Sequence, residues 1–98
     1  MTVRDKLYIG GSWVDPSDPD LRLDILSPHD QSVLGTVAQA APADVDAAVA
    51  AAREAFDHGP WPRTTPTERQ EIIRRYDALR AARADEVAEA ISVENGSA

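Results

Sequence analysis

The sequence predicts an α/β chain, α+β in its internal order, with a strand-rich segment over residues 6–40 and a helical segment over residues 42–96. Three observations carry this prediction. Apolar residues alternate with polar ones before Pro42, recur at spacings of three and four after it, and a Thr65-Pro66-Thr67-Glu68 helix start divides the second half.

Leu7-Tyr8-Ile9 and Trp13-Val14 flank Gly10-Gly11, a two-residue link in which both positions tolerate positive φ, as a type I′ hairpin turn requires. Asp15 to Asp20 is turn-rich, with two prolines and short polar side chains that compete for backbone hydrogen bonds. Leu21, Leu23 and Ile25 alternate with Arg22 and Asp24 in the pattern of a half-buried strand, which Pro28 closes. A further short strand runs from Val33 to Val37, interrupted by Gly35. The first 40 residues therefore read as three or four strands, antiparallel where the hairpin joins them; the partners of the later strands stay open.

After Pro42 the period changes, because Val45, Ala48, Val49, Ala52 and Phe56 line one helical face. Pro42 suits the first helical position, and Asp44 and Asp46 bring negative charge to the first turn's unpaired amides. Ala41 is a poor N-cap. The run of alanines is explained by helix propensity alone or by a face pressed against a sheet. Gly59-Pro60-Trp61-Pro62 ends this helix. At Thr65 the hydroxyl and the Glu68 carboxylate can satisfy amides reciprocally, so a second helix starts there, with Ile72, Ile73, Tyr76 and Leu79 as its stripe. The apolar phase thins over Ala82–Asp85, which predicts a bend or brief break, and a third helix ends at Asn95-Gly96.

Alanine supplies much of the 43% apolar content, and it brings little hydrophobic area per residue. The core would have to come from larger side chains such as Leu7, Ile9, Trp13, Leu23, Ile25 and Val33, with Phe56, Ile72, Tyr76, Leu79, Val87 and Ile91 from the helices. For 98 residues that supply is thin. The formal charge of -7 disfavours nucleic acid and anionic membrane as partners. Arg69, Arg74, Arg75, Arg80 and Arg83 interleave with Glu68, Glu71, Asp77 and Asp85 as a solvated, salt-bridged face. Cysteine is absent, which excludes a disulfide, a thiolate nucleophile and a thiolate metal site within these residues. No long apolar run suggests a signal peptide or a membrane span, so the expectation is a soluble, cytoplasmic protein.

Candidate chemistry is sparse. His29 stands beside Asp30 in a turn, and His58 follows a helix end where an imidazolium could meet terminal carbonyls; neither has a partner at metal-ligand spacing. Asp85, Glu86 and Glu89 form a carboxylate group in sequence, but their spacing suits an exposed helix face rather than an enclosed acid and base pair. The serines lack a recognisable base. Trp61 reads as an anchor over the end of the small core, with ligand stacking as the alternative. No catalytic, cofactor-binding or metal residue is assigned.

The order of these blocks carries a resemblance. Leu7-Tyr8-Ile9-Gly10-Gly11-Ser12-Trp13-Val14, then Ile25-Leu26-Ser27-Pro28, then Asp44 through Phe56, followed by Trp61-Pro62, the Pro66/Glu68/Arg69 helix start and Glu94-Asn95-Gly96, resembles the amino-terminal region of the NAD(P)-dependent aldehyde dehydrogenase superfamily. It extends from about Lys6 to Ala98. The resemblance implies that residues 1–98 form the incomplete amino-terminal part of a cofactor-binding domain within a larger aldehyde dehydrogenase-like fold. Such enzymes oxidise an aldehyde to a carboxylic acid through a cysteine nucleophile, hydride transfer to a nicotinamide and hydrolysis assisted by a glutamate. By that likeness all of these catalytic groups, and the glycine-rich cofactor loop, would lie outside this sequence. Some members hold a monovalent cation partly through backbone carbonyls at positions matching Ile25 and Leu26, with the other ligands outside these residues. Ser97-Ala98 stands where Lys-Pro often follows Glu-Asn-Gly.

The expectation is thus an amino-terminal scaffold fragment, inactive alone, of an enzyme using NAD or NADP. Its partners would be the rest of the aldehyde dehydrogenase chain and, through exposed edges, itself. The whole parent would be a homo-oligomer. The alternative is a stand-alone structural or protein-interaction module.

Overall fold

The computed structural model describes residues 2–96; Met1, Ser97 and Ala98, and with them the Ser97-Ala98 departure from the family pattern, lie outside the described residues. The order is β1 (Thr2–Arg4), β2 (Leu7–Ile9), β3 (Ser12–Val14), β4 (Arg22–Leu26), β5 (Val33–Ala38), α1 (Pro42–His58), α2 (Pro66–Ala82) and α3 (Ala84–Asn95). A 3-10 turn at Trp61–Arg63 links α1 to α2.

The hairpin forms as expected, with Leu7 opposite Val14 and Ile9 opposite Ser12. Gly10 and Gly11 take φ of 62° and 81°, the two left-handed positions of a type I′ turn. The remaining strands form a separate sheet ordered β1-β5-β4. There β4 and β5 are antiparallel, with a bulge between Ile25 and Leu26. β1 runs parallel to β5, Thr2 opposite Gly35 and Arg4 opposite Val37. This fifth strand was not anticipated, since three residues with a charged end have no period to read. A tertiary clasp supports it: one Arg22 guanidinium nitrogen donates to the Arg4 carbonyl at 3.3 Å and to Thr36 Oγ1 at 2.9 Å.

Helix boundaries follow the local chemistry. Ala41 is the N-cap of α1 and has no side-chain acceptor, so the Asp44 carboxylate reaches back to the Ala41 N–H at 2.9 Å. Thr65 Oγ1 accepts the Glu68 N–H at 3.2 Å and opens α2. The predicted break falls at Arg83, whose φ of -115° and ψ of 22° interrupt the helical ladder between α2 and α3. Gly96, at φ 76°, closes α3 in the left-handed conformation. Gly59 ends α1 for a different reason. Its φ is an ordinary -74°, but a Cβ there would collide with the Ala55 carbonyl.

The expected core does not assemble. Among the described residues Pro16 is the one buried apolar side chain, and Trp13, Phe56, Tyr76 and Leu79 are each at least 64% exposed. The radius of gyration is 17.2 Å, against about 13 Å for a compact chain of this length. One principal extent is only 15 Å, too thin to cover both faces of the sheet and helices. The physical reason is that strands and helices lie largely side by side, so their apolar faces find few partners within the chain.

Candidate functional site

Three arrangements result from this layout. The first is a cleft of about 450 Å³ between the sheet and α3. Ile25, Leu34 and Val37 line it from the sheet, and Ala90 and Val93 from the helix. Glu86, Glu89 and Glu94 supply carboxylates, and Arg4 the one guanidinium. Arg83 grips Glu86 through two bonds, at 2.6 and 2.9 Å. That pairing holds the Glu86 carboxyl below its usual range, with a smaller contribution from the charge on Arg4. Three carboxylates beside one guanidinium repel a pyrophosphate, so the cleft does not suit a dinucleotide. The sequence expectation of a solvated carboxylate face holds, since Asp85, Glu86 and Glu89 are all exposed; Glu86 is ion-paired with Arg83, and Glu86 and Glu89 also line the cleft.

The second arrangement is a latch at the start of α1. Asp44, 7% exposed, accepts from the Ser17 N–H, the Ser17 hydroxyl and the Ala41 N–H, each at 2.9 Å. These bonds, led by the one from Ala41, hold its carboxyl below the ordinary 3.8. The latch ties the loop between hairpin and sheet to the helix. Sequence reasoning placed Asp44 in the first turn but missed Ser17, whose only local signal is its place in a proline-flanked turn cluster.

The third is the Trp61 corner. Arg69 stacks over the indole at 5.1 Å and donates to the Trp61 carbonyl at 3.1 Å and Thr64 Oγ1 at 2.7 Å. Arg69 is therefore part of this corner rather than of the salt-bridged face, where Arg74–Glu71, Arg80–Asp77 and Arg83–Glu86 do pair. Trp61 remains 45% exposed, so it anchors a loop and covers no core.

The other candidates have local partners. The backbone N–H of His29 donates to Ser27 Oγ at 3.2 Å. His58 turns to Glu54, 3.1 Å away, while Arg63 donates to the Asp57 and Gly59 carbonyls, so the helix end is capped by arginine instead of histidine. Ile25 and Leu26 straddle the bulge, where carbonyl directions depart from a regular ladder. Among the described residues no three His, Asp or Glu side chains gather in metal-binding geometry. No helix there is long and apolar enough to cross a membrane.

Comparison with known proteins gives these arrangements a context. The model of the aldehyde dehydrogenase family matches residues 13–98. Aldehyde dehydrogenase 1 of Tanacetum cinerariifolium is 42% identical over 91 residues, covering 93% of this chain and 18% of that protein. The human methylmalonate-semialdehyde/malonate-semialdehyde dehydrogenase is 38% identical over 93% of this chain and 16% of its own length. A solved Mycobacterium tuberculosis aldehyde dehydrogenase, crystallised with NAD+, superposes with a TM-score of 0.89 and 45% identity over 97% of this chain and 20% of that one. The chain thus spans about a fifth of the length of the relatives it matches. With the family model matching residues 13–98 and a solved relative sharing the α/β layout, the chain belongs to the aldehyde dehydrogenase family.

Proposed function

We propose that residues 1–98 are the amino-terminal scaffold of an NAD(P)-dependent aldehyde dehydrogenase, forming an incomplete part of its cofactor-binding domain. The whole enzyme would oxidise an aldehyde to a carboxylic acid, as a cytoplasmic homo-oligomer. The observation that carries this reading is family membership over 86 consecutive residues in a chain that covers only 18% of a relative's length. NAD or NADP, when bound by the whole enzyme, would accept the hydride. These residues contribute no catalytic, cofactor-binding or metal group to that chemistry. Their part is to hold strands and helices at angles that let the remaining chain pack.

The absence of cysteine supports the inactivity of the chain by itself, because the family reaction needs a thiolate nucleophile. The test is aldehyde-dependent NAD(P)H formation by the 98-residue chain and by a fusion to the remaining four fifths of the M. tuberculosis relative. Turnover is expected from the fusion alone. Enzyme-like turnover by the cysteine-free chain, or a folded fusion without activity, would overturn the proposal. The outward apolar side chains also fit a stand-alone interaction module, which predicts a fusion that folds no better than the free chain.

A further inference from the structure

Asn95 is the single asparagine of the sequence, and Gly96 follows it. In such a pair the glycine backbone nitrogen can reach the asparagine side-chain carbonyl carbon and close a five-membered ring, because glycine has no Cβ to obstruct the approach. The fold places the pair at an element end. Asn95 is the last residue of α3 and is exposed, and Gly96 turns out of the helix at φ 76°.

Little holds the nitrogen back. Its N–H donates to the Ser92 carbonyl at 2.9 Å, and while that bond and the helical backbone of Asn95 persist, the nitrogen is not aimed at the side chain. A Cβ built on Gly96 would lie 3.4 Å from Pro28 Cγ, so the helix end also rests on the loop after β4. Against these two contacts, Glu94 brings negative charge to a last turn that holds no cation, where the helix dipole disfavours it. Helix ends open far more readily than the middle of an element. With one net hydrogen bond to break, the open fraction is on the order of one in ten.

We propose that Asn95-Gly96 is a self-modifying site, at which the chain loses the Asn95 amide and thereby frees the end of α3 from the loop after β4. The Gly96 nitrogen gives its proton to solvent base and bonds to Asn95 Cγ. The Cγ–Nδ2 bond breaks, and the nitrogen leaves as ammonia. The cyclic imide then takes up water at either carbonyl, giving aspartate or isoaspartate at position 95. In sum, one water is consumed and one ammonia is released, with no oxidant, reductant or cofactor. Either product sets a new carboxylate beside Glu94 at the negative end of the helix. Isoaspartate also adds a methylene to the main chain, which moves the Gly96 N–H off the Ser92 carbonyl. Val93 and Glu94, which line the cleft with the sheet, lose the fixed end beside them.

The test holds the folded 98-residue chain in mildly alkaline buffer beside a peptide of residues 92–98, with intact mass and peptide maps that separate aspartate from isoaspartate. Conversion is expected at Asn95 in both, with isoaspartate in excess and a rate that rises in proportion to hydroxide. Gln31, Gln39 and Gln70 should keep their amides, since a glutamine must close a six-membered ring. The peptide, and the chain unfolded in urea, should react about tenfold faster than the folded chain, which is the size of the gate. Gly96→Ala is expected to slow the peptide at least about tenfold by obstructing the nitrogen. In the isolated isoaspartate product, amide exchange at Gly96 should quicken by about tenfold. A folded chain that keeps its Asn95 amide while the peptide converts completely overturns the inference. So does conversion to aspartate alone, which bypasses the ring, a peptide rate unchanged by Gly96→Ala, or a product whose Gly96 exchange matches that of the starting chain.

Discussion

Asp44 shows how one side chain can join three segments. Its carboxylate compensates for an alanine N-cap and at the same time fastens Ser17, 27 residues earlier, to the helix start. Replacing it with asparagine removes the charge that strengthens all three bonds. Amide exchange at Ser17 and Ala41 is then expected to quicken by about tenfold, the scale of one net hydrogen bond to a charged group. The pH response has a definite sign. A carboxyl held below its ordinary 3.8 in the folded state contributes stability above that value and loses it as pH falls through the lowered one. Protection at Ser17 and Ala41, followed by exchange, should therefore persist at pH 4 and decline only in more acidic solution. A decline beginning near pH 6 would contradict the latch. Asp44 was legible as a first-turn acid; Ser17 was not, because a contact across 27 residues leaves no trace in local spacing.

At the scale of elements, turns and caps behave as their residues dictate. Gly10 and Gly11 both have positive φ, so an alanine at either position is strained by about 1–2 kcal/mol. At Gly10 the strain is conformational, since a Cβ would make only an ordinary contact with Ala51. Weakened cross-strand contacts between Tyr8 and Trp13, whose rings lie 5.0 Å apart, should report it by nuclear Overhauser effects. Thr65→Ala removes the hydroxyl that caps α2 and is expected to cost about 1 kcal/mol, read as faster exchange at Glu68 with little change in α3. The hairpin, the Thr65 cap and the Arg83 break were legible because each depends on residues within a few positions, whereas the capping of the end of α1 by Arg63 in place of His58 was not. β1 was not, since its pairing needs β5, more than thirty residues away, and the Arg22 clasp.

At the scale of the whole molecule, secondary structure is complete while hydrophobic burial is not. A chain whose one buried apolar side chain among the described residues is Pro16 has little to offset conformational entropy. The free chain is therefore expected to unfold with a shallow denaturant dependence, below the roughly 1 kcal/mol/M in urea that marks the low end for small domains, and to bind a hydrophobic dye. A steep, two-state transition without dye binding would show that the faces are covered in solution. The amino-acid sequence by itself determined the strand-then-helix order, the hairpin, the helix limits and the family likeness, because these rest on local conformational preference and on block order. Tertiary structure alone decided that the sheet takes a parallel first strand, that small residues meet the hairpin, and that the large apolar residues face outward. Hydrophobic periodicity says which residues share a face; it does not say whether anything in the same chain is placed to cover it.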